Sequence, residues 1–262
     1  MESNLTDRTL LSGAAYRNPT ALEARRAIYR YQRPVLDLVG TVTAEFAAVA
    51  GPIIDVGCGS GVFTSALRRA HPDRSVVAID LSPGMVTAAG KPGVNAEATR
   101  LPFRDGSVAG ALAAHMLYHV PGPGDALDEL ARVCRPGGRV ILTGNGATDK
   151  VELHDLWVES ARVVLGRPEV LFGEALRVDG MESLARRHFG PVSRVNLTAR
   201  TVVPHTRPII DYLESTRALS PLSDADFTAV ITEATERLSD RIRRTGDFSF
   251  SNEVGLIITE IR

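Results

Sequence analysis

At 262 residues the chain is longer than most single domains, and one α/β domain with an appended cap fits that length as well as two domains do. Hydrophobic residues at 44% and charged residues at 23% are ordinary globular proportions and exclude a disordered or fibrous chain. A formal net charge of −1 gives no overall attraction for nucleic acid or an anionic membrane.

The only cysteines, Cys58 and Cys134, belong to no CxxC pair or His/Cys cluster, so no disulfide framework or zinc site is indicated. Residues 1–7 are polar with no cleavage signature behind them, and apolar runs such as Val108–Ala114 are too short to span a bilayer, so a cytoplasmic protein without a membrane partner is expected. Positive charge is nearly all arginine, with lysine only at Lys91 and Lys150. Pairs such as Arg25-Arg26, Arg68-Arg69, Arg186-Arg187 and Arg243-Arg244 read as solvated helix faces rather than a nucleic-acid surface.

Taken in chain order, residues 19–49 carry Ala, Leu, Ile and Val at helical spacing, interrupted at Pro34, and are expected to form one or two helices. From residue 52 to 144 short apolar runs alternate with amphipathic stretches, the pattern of a parallel sheet with helices on both faces. Strands are expected at 53–56, 75–79, 93–96, 108–114 and 139–143. Helices are expected at 62–70, 83–89 and 125–133, the last closed by Arg135-Pro136-Gly137-Gly138, which cannot continue a helix. Residues 150–165 read as a helix, 173–189 as a mixed segment containing another, 192–203 as a strand, 208–219 and 223–244 as helices, and 254–261 as a final strand. The fold class expected is α/β, a Rossmann-like, mostly parallel seven-stranded sheet with helices on both faces and a helical cap.

The strand at 53–56 enters Gly57-Cys58-Gly59-Ser60-Gly61, and an amphipathic helix follows directly. Glycines at such a turn permit positive φ and close approach of backbone to a ligand, and the free N–H groups at the helix start favour an anionic group. A nucleotide-like cofactor is implied. A dinucleotide fingerprint G-x-G-x-x-G would need glycine at position 62, where Val62 stands; the spacing here is G-x-G-x-G, preceded by Asp55, which points away from NAD. The next strand ends in Asp80, about as far downstream as the ribose-binding acid of Rossmann-type sites. Taken alone, an Asp at a strand end is more readily a cap or turn residue; coupled to the glycine loop, the ribose reading is the stronger.

Four segments stand in register: 55–61 (DVGCGSG), 78–85 (AIDLSPGM), 101–107 (LPFRDGS) and 130–139 (LARVCRPGGR). Over roughly residues 50–145 the chain resembles class I S-adenosylmethionine (SAM)-dependent methyltransferases of the UbiE-like, small-molecule type. The resemblance implies that Asp55, Gly57 and Gly59, with Cys58 in the same loop, lie against the methionine moiety of SAM and that Asp80 holds its ribose. Leu81 and Met85 would flank the adenine, and Glu97-Ala98 stands where the family places an acid, more commonly Asp, for the adenine amino group. Backbone contact near His115 and Met116 is implied as well. Residues 106–109 (GSVA) replace the usual Phe-Asp ahead of the fourth strand, a departure expected to act on local geometry rather than on cofactor binding.

His119 is the candidate general base, since an unperturbed imidazole with pKa near 6.5 suits proton removal at neutral pH. His115 and His119 have the i, i+4 spacing of a zinc pair, but Met116 stands where a metalloprotease needs Glu, and no metal is expected. Tyr16, Tyr29, Tyr31, Asn145, His154 and Trp157 are candidates for lining the cap, and Arg33 for meeting the cofactor carboxylate. The expected organisation is an N-terminal helical segment over the active site (1–49), a SAM-binding core (50–150), cap and substrate-binding segments (151–191 and 204–250) and the last sheet strands (192–203 and 251–262). The expected activity is methyl transfer from SAM to a small organic acceptor, at O, N or C, with specialised metabolism as one setting. An RNA methyltransferase and a non-catalytic SAM-binding protein are the alternatives; the composition disfavours nucleic acid and leaves oligomeric state open.

Overall fold

Side chains along the central strands alternate between two apolar layers, as the two-residue period of a strand dictates. Ile54, Ala111, Ala113, Val140, Leu142 and Ile257 enter one core, while Ile53, Leu112, Ile141, Leu256 and Ile258 enter another. In the computed structural model, which describes residues 5–171 and 176–262, the strands are β1 (Gln32–Arg33), β2 (Ile53–Val56), β3 (Val76–Asp80), β4 (Gly93–Asn95), β5 (Val108–Ala114), β6 (Cys134–Asn145), β7 (Ser193–Val203) and β8 (Phe248–Glu260). They form one sheet in the order β1-β7-β8-β6-β5-β2-β3-β4. Strands β2 to β6 are mutually parallel, and β8 runs antiparallel between β6 and β7. All seven residues of β5 are buried, as a parallel strand covered on both faces requires.

After a short helical stretch at Arg8–Leu10 and Leu11–Ala15, the longer helices are α1 (Thr20–Ala27), α2 (Leu38–Glu45), α3 (Val62–Ala70), α4 (Pro83–Ala89), α5 (Pro123–Val133), α6 (Val151–Leu165), α7 (Val178–Phe189), α8 (Thr206–Glu214) and α9 (Asp224–Thr245). Leu127, Leu130 and Val133 of α5 and Met181 and Ala185 of α7 cover one sheet face; Val42 of α2 and Leu67 of α3 cover the other. A further core stands apart from both. Trp157 of α6, Leu213 of α8 and Phe227, Val230 and Leu238 of α9 pack there with Ile28 and with Val203, Phe248 and Phe250 from β7 and β8. The last sheet strands thus serve the cap as well as the sheet.

The structure departs from the sequence-based expectation in four places. The sheet has an eighth strand, β1, whose two residues pair with Thr201 and Arg200 at the edge; two residues are too few to show a period, and Pro34 ends the pairing, since proline lacks the N–H a ladder needs. The strand expected from residue 139 starts earlier: α5 ends at Val133 as expected, and β6 begins at once at Cys134 and takes in residues 135–138, with a register shift opposite Val108 and Gly110. The last strand starts at Phe248, ahead of the expected residue 254. The 208–219 helix divides into α8 and a separate 3₁₀ turn, Arg217–Leu219. Residues 1–4, and the beginning of the mixed segment expected from residue 173, lie outside the described residues. Among the described residues, no helix is long and apolar enough to cross a membrane.

Candidate active site

The chain builds β2, β3 and β4 outward in one direction and returns to place β5 and β6 on the other side of β2. Ligands of open α/β sheets bind beyond the carboxyl ends of strands at such a reversal. Gly57, Gly59 and Gly61 follow β2 with φ of 70, 51 and 79°, values that side-chain-bearing residues rarely adopt. At Gly57 the crowding is also steric, since a Cβ would lie 2.5 Å from Met116 Cβ. Asp80, at the end of β3, accepts from Gly59 N–H through Oδ2 at 2.9 Å and from Ser82 N–H through Oδ1 at 2.8 Å. Each oxygen keeps a lone pair free. Burial raises the Asp80 pKa, and the two backbone donors oppose that rise.

A cavity of about 560 Å³, within the ~300–1,000 Å³ range of small-molecule sites, spans this region. Gly57, Cys58, Gly59, Asp80, Leu81, Met85, Glu97, Ala98, His115, Met116 and His119 all line it. Asp55 does not. It shares a strand face with Ile53 and lies behind the loop, 1% exposed, accepting from Thr64 Oγ1 at 2.5 Å. Burial lifts its pKa to about 6, against the lowering effect of Thr64. The structure therefore makes Asp55 a brace between β2 and α3, not a wall of the cavity. Glu97 forms an ion pair with Arg8, which ties the N-terminal segment to the end of the cavity where the adenine is expected.

The other end of the cavity is formed by residues distant in sequence. Tyr16, Tyr29, Asn145 and His154 line it as expected, and Tyr118, Tyr212, Arg25, Asp149 and Lys150 join them. Three expected residues lie elsewhere: Trp157 packs against Phe227 in the cap core with ring centroids 5.1 Å apart, the Tyr31 hydroxyl accepts from Arg30 at 3.1 Å, and Arg33 donates to the carbonyls of Arg30 and Gln32 from the sheet edge.

Both ring nitrogens of His119 are engaged, Nδ1 with the Leu5 carbonyl at 2.7 Å and Nε2 with the Tyr16 hydroxyl at 2.9 Å. A carbonyl only accepts, so Nδ1 carries the proton and Nε2 accepts from Tyr16. The Tyr16 oxygen accepts in turn from Arg25 Nη1 at 3.2 Å. Burial pushes the His119 pKa down to about 4, with Arg25 adding to the fall and the Leu5 bond opposing it. His119 is neutral at physiological pH and presents no free nitrogen to an acceptor.

His115 and Lys150 are the non-glycine residues with positive φ among the described residues, at 52 and 59°. Such backbone costs free energy and collects at functional sites. Lys150 pairs with Asp149 and sits 5.4 Å from the Tyr29 ring centroid. Burial works against its charge, but Asp149, Tyr29 and Tyr212 hold the ammonium well above the usual lysine range. Burial, then the Lys150 charge, lower the His115 pKa to about 4. Sequence reasoning missed Lys150, although one signal was present: the chain holds 30 Lys and Arg together and lysine is kept at only two places. Tyr118, Tyr212 and Arg25 had no local signal, because β and α periodicity does not mark a side chain that faces a cavity.

Residues 54–142 match the methyltransferase domain family. An uncharacterised methyltransferase from Mycobacterium sp. (strain JLS) is 38% identical over 94 residues, covering 35% of this chain and 37% of the relative. Demethylmenaquinone methyltransferase from Clavibacter sepedonicus is 38% identical over 109 residues, covering 38% of this chain and 44% of the relative. The alignments thus span less than half the length of these curated relatives. Among solved structures, an N-methyltransferase from Haemonchus contortus, in complex with S-adenosylhomocysteine, superposes with a TM-score of 0.56 at 16% identity, over 100% of this chain and 61% of that one. Residues 54–142 are thus similar to methyltransferase domains, and the sheet, its strand order and its two helical layers are the fold of class I methyltransferases.

Proposed function

We propose that the chain transfers the methyl group of SAM to a small organic acceptor. The observation that carries this reading is one continuous cavity. Its floor is the glycine loop and Asp80, and its far end is lined by side chains drawn from residues 5–29, from the segment after β5 and from the cap. Bound on that floor, SAM supplies an electrophilic methyl group on a sulfonium. Asp80 fits the ribose, since its two half-satisfied oxygens match two hydroxyl donors. Leu81 and Met85 give the adenine apolar walls, and Glu97 can accept from its amino group once the Arg8 contact is shared.

Tyr16 faces the acceptor end with its hydroxyl oriented from both sides, donating to His119 and accepting from Arg25. His119 is thereby a positioning residue, acting through Tyr16, and not the general base. Rate enhancement comes from holding the acceptor in line and keeping water out. A cavity of about 560 Å³ has the size of a small-molecule site, which favours a small acceptor over a nucleic-acid strand.

Calorimetric titration with S-adenosylhomocysteine tests the floor. Asp80→Ala is expected to weaken binding at least tenfold, or about 1.4 kcal/mol; equal affinity would remove the ribose assignment. Incubation of SAM with an acceptor library, scored for S-adenosylhomocysteine formation, tests turnover, and binding without turnover would leave a SAM-binding protein. With an acceptor in hand, the rate should show no titration near pH 6.5, because His119 is already neutral there. A clear rise in rate through that pH would restore His119 as the base.

A further inference from the structure

The far end of the cavity holds more positive charge than its own carboxylates neutralise. Lys150 is paired with Asp149, but Arg25 has no carboxylate partner among the described residues. Its Nε donates to Ala21 O at 3.3 Å and its Nη1 to Tyr16, while Nη2 is shut off from solvent with no hydrogen bond at all. A buried donor left unsatisfied has lost its hydration without compensation, and the cost is greater when it is charged. Lys150 stands at the start of α6, where the helix dipole also disfavours a cation, though by less. Arg25 and Lys150 line the same cavity as Tyr118 and Tyr212, with Arg25 over the Tyr16 ring at 5.1 Å and Lys150 over the Tyr29 ring at 5.4 Å.

Four of the chain's five tyrosines line this cavity, and such a wall could in principle hold a cationic amine by its ring faces. Two cations already in place would repel it. The opposite charge fits the surplus: an oxyanion at this end offsets the guanidinium charge, shares the ammonium with Asp149 and accepts from the hydroxyls of Tyr118 or Tyr212, which line the same cavity. Building on the methyltransferase reading above, we infer that the methyl acceptor bears an oxyanion, a carboxylate or a phosphate, that docks at this end of the cavity against Arg25 with Lys150 beside it. The tyrosines then pack against the body of the acceptor, and the anion fixes which of its atoms faces the methyl group.

The test is a titration of the full chain with benzoate, phenyl phosphate and the neutral benzamide, with and without saturating S-adenosylhomocysteine. At least one anion should bind tenfold or more tighter than benzamide, and the arm that does so says whether carboxylate or phosphate is preferred. Arg25→Gln should abolish most of that preference, Arg25→Lys should keep part of it, and both should retain the wild-type circular dichroism spectrum. Anions that bind no better than benzamide to the wild type would overturn the inference, as would a preference untouched by Arg25→Gln. It is overturned too if Arg25→Gln weakens S-adenosylhomocysteine tenfold while sparing 5′-methylthioadenosine, for the cofactor's own carboxylate would then be the partner of Arg25. Because the anion arm is also run without cofactor, an anion preference in a protein that binds no S-adenosylhomocysteine would remove the SAM reading and leave the anion site standing.

Discussion

The two ends of the cavity are built in opposite ways. The floor is made by segments that each close locally: a strand, a glycine turn, a helix, then a strand ending in a carboxylate held by two nearby backbone N–H groups. The far end is made by side chains from five places, around residues 16, 25, 118, 150 and 212, where Lys150 is paired with Asp149 and Arg25 has no carboxylate partner among the described residues. The floor therefore tolerates change in its surroundings, whereas each group at the far end depends on its partners. That difference is where the protein can be broken most informatively.

The largest effect is expected at Lys150. Lys150→Met strands Asp149 as a buried, unpaired carboxylate, for which the cost of breaking such a pair is about 3–5 kcal/mol. The double variant with Asp149→Asn should recover much of it. Urea denaturation of the three proteins measures both quantities, and a single variant as stable as wild type would show that the pair is not structurally coupled to the cap.

The next effect is pH dependence. His115 and His119 have folded pKa values of about 4 against about 6.5 when unfolded. Above pH 6.5 both states are neutral and stability is full. Below it the unfolded chain takes up protons that the folded one refuses, so stability falls until the pH reaches about 4, by roughly 3 kcal/mol for each histidine. Asp55, raised to about 6, runs the other way, losing stability as pH rises from about 4 to 6, and so offsets part of the change. Net acid destabilisation should therefore be plainest just below pH 6.5, and His119→Gln should flatten it in a denaturation series by pH. An unchanged profile would mean that His119 titrates normally.

The smallest effect belongs to the clasp between the two ends. Arg8 and Glu97 are both substantially exposed, with side-chain exposures of 55 and 38%, and exposed pairs contribute about 0–1 kcal/mol. Arg8→Ala should leave the melting temperature within about 2 °C and alter S-adenosylhomocysteine affinity less than threefold. A tenfold change in calorimetry would make this contact part of the binding machinery.

The floor was legible in the sequence: the strands of the parallel half, the G-x-G-x-G loop and Asp80 follow from period, backbone conformation and spacing, which are interactions among near neighbours. Asp55 shows how closely that reasoning runs to its limit, because it lies in the right strand, and only the parity of its side chain, on the face of Ile53 and Thr64, takes it out of the cavity. Tertiary structure alone decided the rest. The β1 edge pairing, the engagement of both His119 nitrogens, the position of Trp157 in the cap core and the meeting of Arg25, Lys150 and the tyrosines all join residues tens to more than a hundred positions apart. Such contacts carry no period in the sequence, since what specifies them is the burial and charge balance of the finished cavity.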